Sequence, residues 1–232
     1  MHKYANILLI LFLVFAGQEA RTQQSEATLR LLERNEMFEP AIIEVAENVY
    51  TAIGYQVTAN TMIVGDDGVI IIDPGHQAEA ARRVRAEFSR ISDLPVKAII
   101  YTHGHADHVN GAVAFYEPES NTEVWARSNY WSEANRTADA GLTGGVRPSA
   151  TQGFDLLPEQ KISVGIAIPP ARPPAGGNQV DGVASQVQPV RIEPTHMLSE
   201  ERVRLEISGI RLELVAAPGE TADQLYAWLP EQ

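Results

Sequence analysis

Three imidazoles and a carboxylate fall within six residues, His103-Gly104-His105-Ala106-Asp107-His108, directly after the apolar run Val96–Tyr101. The whole chain holds six histidines among 232 residues. Chance places such an H-x-H-x-D-H pattern in about two of ten thousand chains of this composition. In extended backbone, side chains at i and i+2 point to the same side, so His103 and His105 can grip one cation. Asp107 and His108 follow where the chain is expected to turn into a helix, and they offer an oxygen and a nitrogen to a neighbouring position. Imidazole with carboxylate and no thiolate suits Zn2+, with iron and manganese left open. A metal on three protein ligands keeps an open position, where bound water ionises near neutral pH and becomes a nucleophile. No catalytic side chain is assigned from the sequence; the expected nucleophile is that water, with Asp107 placed to orient it. Gly104 and Gly111 let backbone pass close to the site.

Composition narrows the chemistry further. The chain has no cysteine, which excludes disulfides, Cys-ligated zinc, iron–sulfur clusters and thiol nucleophiles. Its net charge of −12 argues against nucleic acid and against an anionic membrane surface, since both call for clustered basic residues. An acidic shell otherwise serves solubility. Residues 1–20 read as a signal peptide. Lys3 precedes ten unbroken apolar residues, Ile7–Ala16, with small residues at Ala16, Gly17 and Ala20. Ten residues are too few to span a bilayer. Export to the periplasm or beyond is the expectation, with no membrane span after cleavage.

A polar leading segment, 21–40, carries Leu29 and Leu32 at helical spacing. Residues 41–232 read as one layered domain of α/β (α+β) class. Strand signals start near Ile42 and continue through Val49–Ile53, Thr61–Val64 and Val69–Ile72, with breaks at Gly54 and Asn60. Val69–Ile72, four β-branched residues, should be buried on both faces. Asp73-Pro74-Gly75 ends that strand, and Gln77–Ile91 reads as a helix with Val84, Phe88 and Ile91 on one side. Arg82, Arg83 and Arg85 read as a solvated face. A second helix is expected over 129–140. Eight of the fourteen prolines lie between 148 and 194, a stretch too long for a passive connection and expected to border a pocket. Val203–Ile207 and Ile210–Ala216 form a hairpin around Ser208-Gly209, and Gln224–Leu229 is a last strand.

At the histidine loop the sequence resembles the metallo-β-lactamase superfamily of binuclear metal hydrolases. Asn60–Gly75 looks like the strand pair that precedes the metal loop in that family. Pro218-Gly219-Glu220-Thr221 resembles its Pro-Gly-His-Thr ligand turn, with glutamate in place of histidine. That replacement is similar to the alkyl sulfatase branch, as are the segments Tyr101–Gly111, Gly176–Gly182 and Ile192–Thr195. The resemblance covers roughly residues 45–232.

The resemblance implies a four-layer αββα sandwich and two Zn2+ ions. His103 and His105 would bind one, completed by Glu220; Asp107 and His108 would bind the other. Glu220 has a second reading as a turn carboxylate capping the following segment. Asp73 either orients a ligand histidine or simply forms the turn at a strand end. His76 reads as a surface residue, His196 as lying outside the ligand set, and His2 as part of the signal peptide. Alkyl sulfatases carry a bridging carboxylate, a further His and sulfate-binding Asn and Arg in positions that would follow Gln232. The domain is therefore expected to be incomplete at its C-terminus and inactive or weakly active alone, any homodimer forming through those later regions. The expected activity is hydrolysis of alkyl sulfate esters, small anionic substrates. A lactonase, β-lactamase or phosphodiesterase of the same fold, or a non-catalytic metal-binding fragment, are the alternatives.

Overall fold

A computed structural model describes residues 25–130 and 190–232. The segment 1–20, almost all of the helix expected over 129–140 and most of the proline-rich stretch lie outside the described residues. Helix α1 (Glu26–Asn35) is capped by Ser25, whose hydroxyl accepts the Thr28 amide at 3.1 Å, and it buries no residue.

The main sheet has seven strands in sequence order: β1 (Ala41–Ala46), β2 (Val49–Ile53), β3 (Asn60–Val64), β4 (Val69–Ile72), β5 (Val96–Ile100), β6 (Glu123–Arg127) and β7 (His196–Leu198). The first four pair antiparallel and β4 to β7 pair parallel. This parallel half needs crossovers. Helix α2 (Ala78–Phe88) supplies the one between β4 and β5, and α3 (Ala106–Val109) with the 3-10 turn Asn110–Ala114 begins the next. A second sheet, ordered β10-β9-β8, is built from the predicted hairpin β8 (Arg202–Ile207) and β9 (Ile210–Ala216) with β10 (Leu225–Trp228) on its far edge.

Period-two alternation sends each strand's apolar residues into two separate cores. Val69, Ile71, Ile99 and Tyr101 face the helices and meet Val84, Phe88 and Phe115. Ile70, Ala98 and Ile100 face the other way and pack on Leu212, Leu214 and Leu225 of the small sheet. Helices, large sheet and small sheet form three layers. Tyr226 and Trp228 stand exposed on the small sheet beside buried Leu225. No helix of the described residues is long and apolar enough to cross a membrane.

Three local readings need correction. Helix α2 stops at Phe88, and Ile91, expected in its apolar stripe, lies in the following turn at 41% exposure. Arg85 is more than part of a solvated face: it is only partly exposed, and its guanidinium donates to Ala114 O at 2.7 Å and pairs with Glu117, which also accepts the Val96 amide. Asn60 is not a break but the fully buried first residue of β3. Its amide can afford that position because it donates to the carbonyl of Asp73 and accepts from Gln56 at 2.7 Å.

Gly111 shows why a glycine follows the histidine loop. Its amide donates to Gly75 O at 2.7 Å, and a Cβ there would collide with the Pro74 carbonyl and the Ala81 side chain. Gly111→Ala should cost about 1–3 kcal/mol, the usual penalty of overpacking. Urea unfolding checks this; an unchanged midpoint would refute the close approach.

Candidate metal centre

The histidine loop leaves β5 at the end of the large sheet and enters α3, whose N-cap is His105 in extended conformation. His103 turns inward, with 3% of its surface exposed, while His105 remains half-buried. The small sheet delivers Glu220 to the same place through the turn that precedes β10. Glu220 Oε1 lies 3.3 Å from His105 Nδ1, and its Oε2 lies 3.9 Å from His103 Nε2. One ligand atom from each of His103, His105 and Glu220 falls within 4.8 Å of the others, the one such three-donor cluster among the described residues.

A divalent cation fits this cluster. His103 Nε2 is buried and has no hydrogen-bond partner among the described residues. An orphaned buried nitrogen is costly unless something binds it. Two imidazoles with a carboxylate form a donor set suited to zinc and neighbouring first-row metals. Among the described residues the Glu220 carboxylate faces the histidines, while the Glu220 amide donates to Gln224 Oε1 at 2.8 Å.

Asp107 and His108 come together beside this cluster, with Asp107 Oδ2 3.6 Å from His108 Nε2. The His103 and His108 rings are 4.0 Å apart. The Thr58 hydroxyl donates to Asp107 Oδ2 at 3.2 Å. No third imidazole or carboxylate completes a cluster around this pair among the described residues. His196 is elsewhere: it starts β7 and stacks on Trp125 at 4.3 Å. His76 is exposed beside the Asp-Pro-Gly turn.

Asp73 sits behind the loop with left-handed backbone (φ 52°) at the end of β4. Its Oδ1 accepts the Thr102 amide at 2.8 Å, and its Oδ2 takes the Thr102 hydroxyl and His108 Nδ1, both at 2.7 Å. The bond to Nδ1 leaves His108 Nε2 pointing toward Asp107. Burial alone would lower the His108 pKa, but the hydrogen bond and charge of Asp73, aided by Asp107 and Glu220, raise it overall. His103 goes the other way. Burial first, then its imidazole neighbours His108 and His105, hold it below the ordinary value despite Asp73 and Glu220.

Sequence reasoning missed the residues that hold these groups in place. Thr102, Asn60, Gln56 and Thr58 act through contacts to residues distant in sequence, and only a polar residue in an otherwise apolar strand marks Asn60. Asp223 was also missed. It is 1% exposed and accepts the Gly104 amide at 2.8 Å, and an acidic residue three positions past Glu220 was its signal.

The sequence profile of the metallo-beta-lactamase superfamily matches residues 54–231. A linear primary-alkylsulfatase from Pseudomonas sp. is 29% identical over 177 residues, covering 73% of this chain and 31% of that protein. An alkyl/aryl-sulfatase from Saccharomyces cerevisiae is 24% identical over 194 residues, covering 82% of this chain and 29% of its own length. The solved structure of an inverting sec-alkylsulfatase from Pseudomonas sp. superimposes with a TM-score of 0.71 at 21% identity, over 91% of this chain and 33% of that one. The chain thus spans about a third or less of the length of these relatives. The profile match covers more than half of the sequence and includes both the histidine loop and the Glu220 turn, so the chain belongs to the metallo-beta-lactamase superfamily.

Proposed function

We propose that this chain carries the metal-binding portion of an exported, zinc-dependent hydrolase that cleaves alkyl sulfate esters. The observation that carries the reading is the convergence of His103, His105 and Glu220 from two sheets around a buried imidazole nitrogen that has no partner among the described residues. His103, His105 and Glu220 would hold one cation, and Asp107 with His108 would contribute to a second. A bound zinc ion supplies Lewis acidity and brings the ionisation of water close to pH 7. Asp73 holds the His108 ring by Nδ1 so that Nε2 faces the site, and Thr102 ties Asp73 to the strand that delivers both histidines. The glutamate at position 220 and the alkylsulfatase relatives support the sulfate ester as substrate. Export rests on the leader-like composition of residues 1–20.

The test uses the full chain loaded with zinc and assayed against dodecyl sulfate, a cephalosporin and a homoserine lactone. Sulfate release alone supports the proposal; turnover of either of the others without sulfate release overturns the substrate assignment. A second reading, a protein that holds one cation without turnover, is favoured by the two-donor pair Asp107/His108. Metal analysis showing one ion per chain and no hydrolysis of any of the three would establish it.

A further inference from the structure

We propose that Asp223 is a positioning residue of the metal centre, its carboxylate fixing the Gly104 amide and through it the spacing of His103 and His105 against Glu220. The inference rests on the metal-centre reading above. Gly104 lies between the two histidines and is buried, so its N–H has no access to water and needs a protein partner. That partner is Asp223 Oδ2 at 2.8 Å, contributed from 119 residues further along the chain.

The carboxylate is an expensive choice for this place. Asp223 is 1% exposed, and its other oxygen, Oδ1, is buried with no hydrogen-bond partner among the described residues. An apolar side chain would fill the space without desolvating a charged group. What an apolar residue cannot do is accept the Gly104 amide.

The contact also sits where it governs geometry. The Glu220 turn meets the histidine strand at two points that bracket His103. The Leu225 amide donates to Thr102 O at 2.8 Å on one side, and Gly104 donates to Asp223 on the other. Within the turn, Gly219 N donates to Thr221 O and Glu220 N to Gln224 Oε1, so Glu220 and Asp223 share a braced segment. Nothing local to the histidine loop sets its distance from Glu220; these cross-sheet bonds do. Partners of this type tune metal affinity by about 10–100-fold.

The experiment measures Zn2+ affinity of the full chain by competition with a chromophoric chelator, for wild type, Asp223→Ala, Asp223→Asn and His103→Ala. Circular dichroism of each metal-free variant checks folding. Asp223→Ala should weaken Zn2+ binding about 10–100-fold, while Asp223→Asn, whose amide carbonyl still accepts from Gly104, should stay within about threefold of wild type. Wild-type affinity in Asp223→Ala, or a loss in Asp223→Asn as large as in the alanine variant, overturns the proposal. His103→Ala separates the two inferences. If it binds Zn2+ like wild type, the metal centre itself is wrong; if it loses Zn2+ while Asp223→Ala does not, only the role of Asp223 falls. Should Asp223→Ala fail to fold, amide hydrogen exchange at Gly104 in the metal-free wild type decides. Slow exchange supports the bond to Asp223, and exchange at the rate of an open loop overturns it.

Discussion

Replacing His103 with alanine should abolish tight cation uptake while leaving the metal-free protein nearly as stable as before. Complete zinc sites are worth about 10–16 kcal/mol, so one ligand of three or four accounts for about 3 kcal/mol, a loss of more than about a hundredfold in affinity. The stability expectation follows from an unusual feature of this imidazole. His103 is buried, yet its Nε2 has no partner among the described residues. Truncation opens a small cavity but also removes an unsatisfied polar atom, and these effects oppose each other. The metal-free variant should therefore unfold within about 1 kcal/mol of wild type. Equilibrium dialysis against Zn2+ and urea unfolding in chelator measure the two quantities. Full hydrolytic activity in a metal-free His103→Ala protein would end the metal-dependent reading.

The second large effect is expected at Asp73, and here the metal-free protein suffers too. One carboxylate serves the Thr102 amide, the Thr102 hydroxyl and His108 Nδ1. Asp73→Ala removes the acceptor of all three donors and puts alanine into left-handed backbone at φ 52°. The expected cost is about 2–4 kcal/mol, from bonds to a charged group worth about 1.5–3 kcal/mol and backbone strain of about 1 kcal/mol. Asp73→Asn should fold better, because asparagine tolerates that conformation and keeps an acceptor for Thr102. It should still weaken binding at His108 about 10–100-fold, since a neutral amide no longer fixes the imidazole as a carboxylate does. Wild-type zinc affinity in Asp73→Asn would show that Asp73 is only a turn former.

The same pair sets a pH dependence in the metal-free chain. His108 has a raised pKa in the folded state, so its pairing with Asp73 stabilises fully below the ordinary imidazole value near 6.5 and fades as pH climbs through the raised one. His103 has a lowered pKa and acts in reverse: the unfolded chain takes up its proton first, so His103 erodes stability as pH falls below about 6.5.

What could be read from the sequence was whatever is local in the chain. The histidine loop is six residues long, and its meaning lies in spacing that needs no tertiary information. Val69–Ile72 announced a doubly buried strand, and Ser208-Gly209 announced the hairpin, because period-two patterning and turn chemistry act over a few residues. Glu220 was reachable only by likeness to a known ligand turn, since a lone exposed glutamate has no spacing to betray it. Thr102 was silent, and Asn60 and Asp223 gave only faint signals, a polar residue in an apolar strand and an acid three positions past Glu220. Besides nearby Gln56, Asn60 depends on Asp73, 13 residues away, and Asp223 depends on Gly104, 119 residues away, and a threonine before a histidine is chemically ordinary until Asp73 is brought beneath it. Arg85 misled for the same reason: its helical position looked outward, and only the approach of Glu117 and Ala114 gave its guanidinium partners.

The three donors do not come from one layer. His103 and His105 hang from the rim of the seven-stranded sheet, whereas Glu220 belongs to the lead-in of the three-stranded one. On the proposed reading, an ion there would work as a rivet through two plates. Its binding free energy, about 2.7 kcal/mol when free metal is a hundred times the dissociation constant, resists their separation. Chelation would thus loosen the smaller plate before the larger, making the seam between them the weakest line of the stripped molecule.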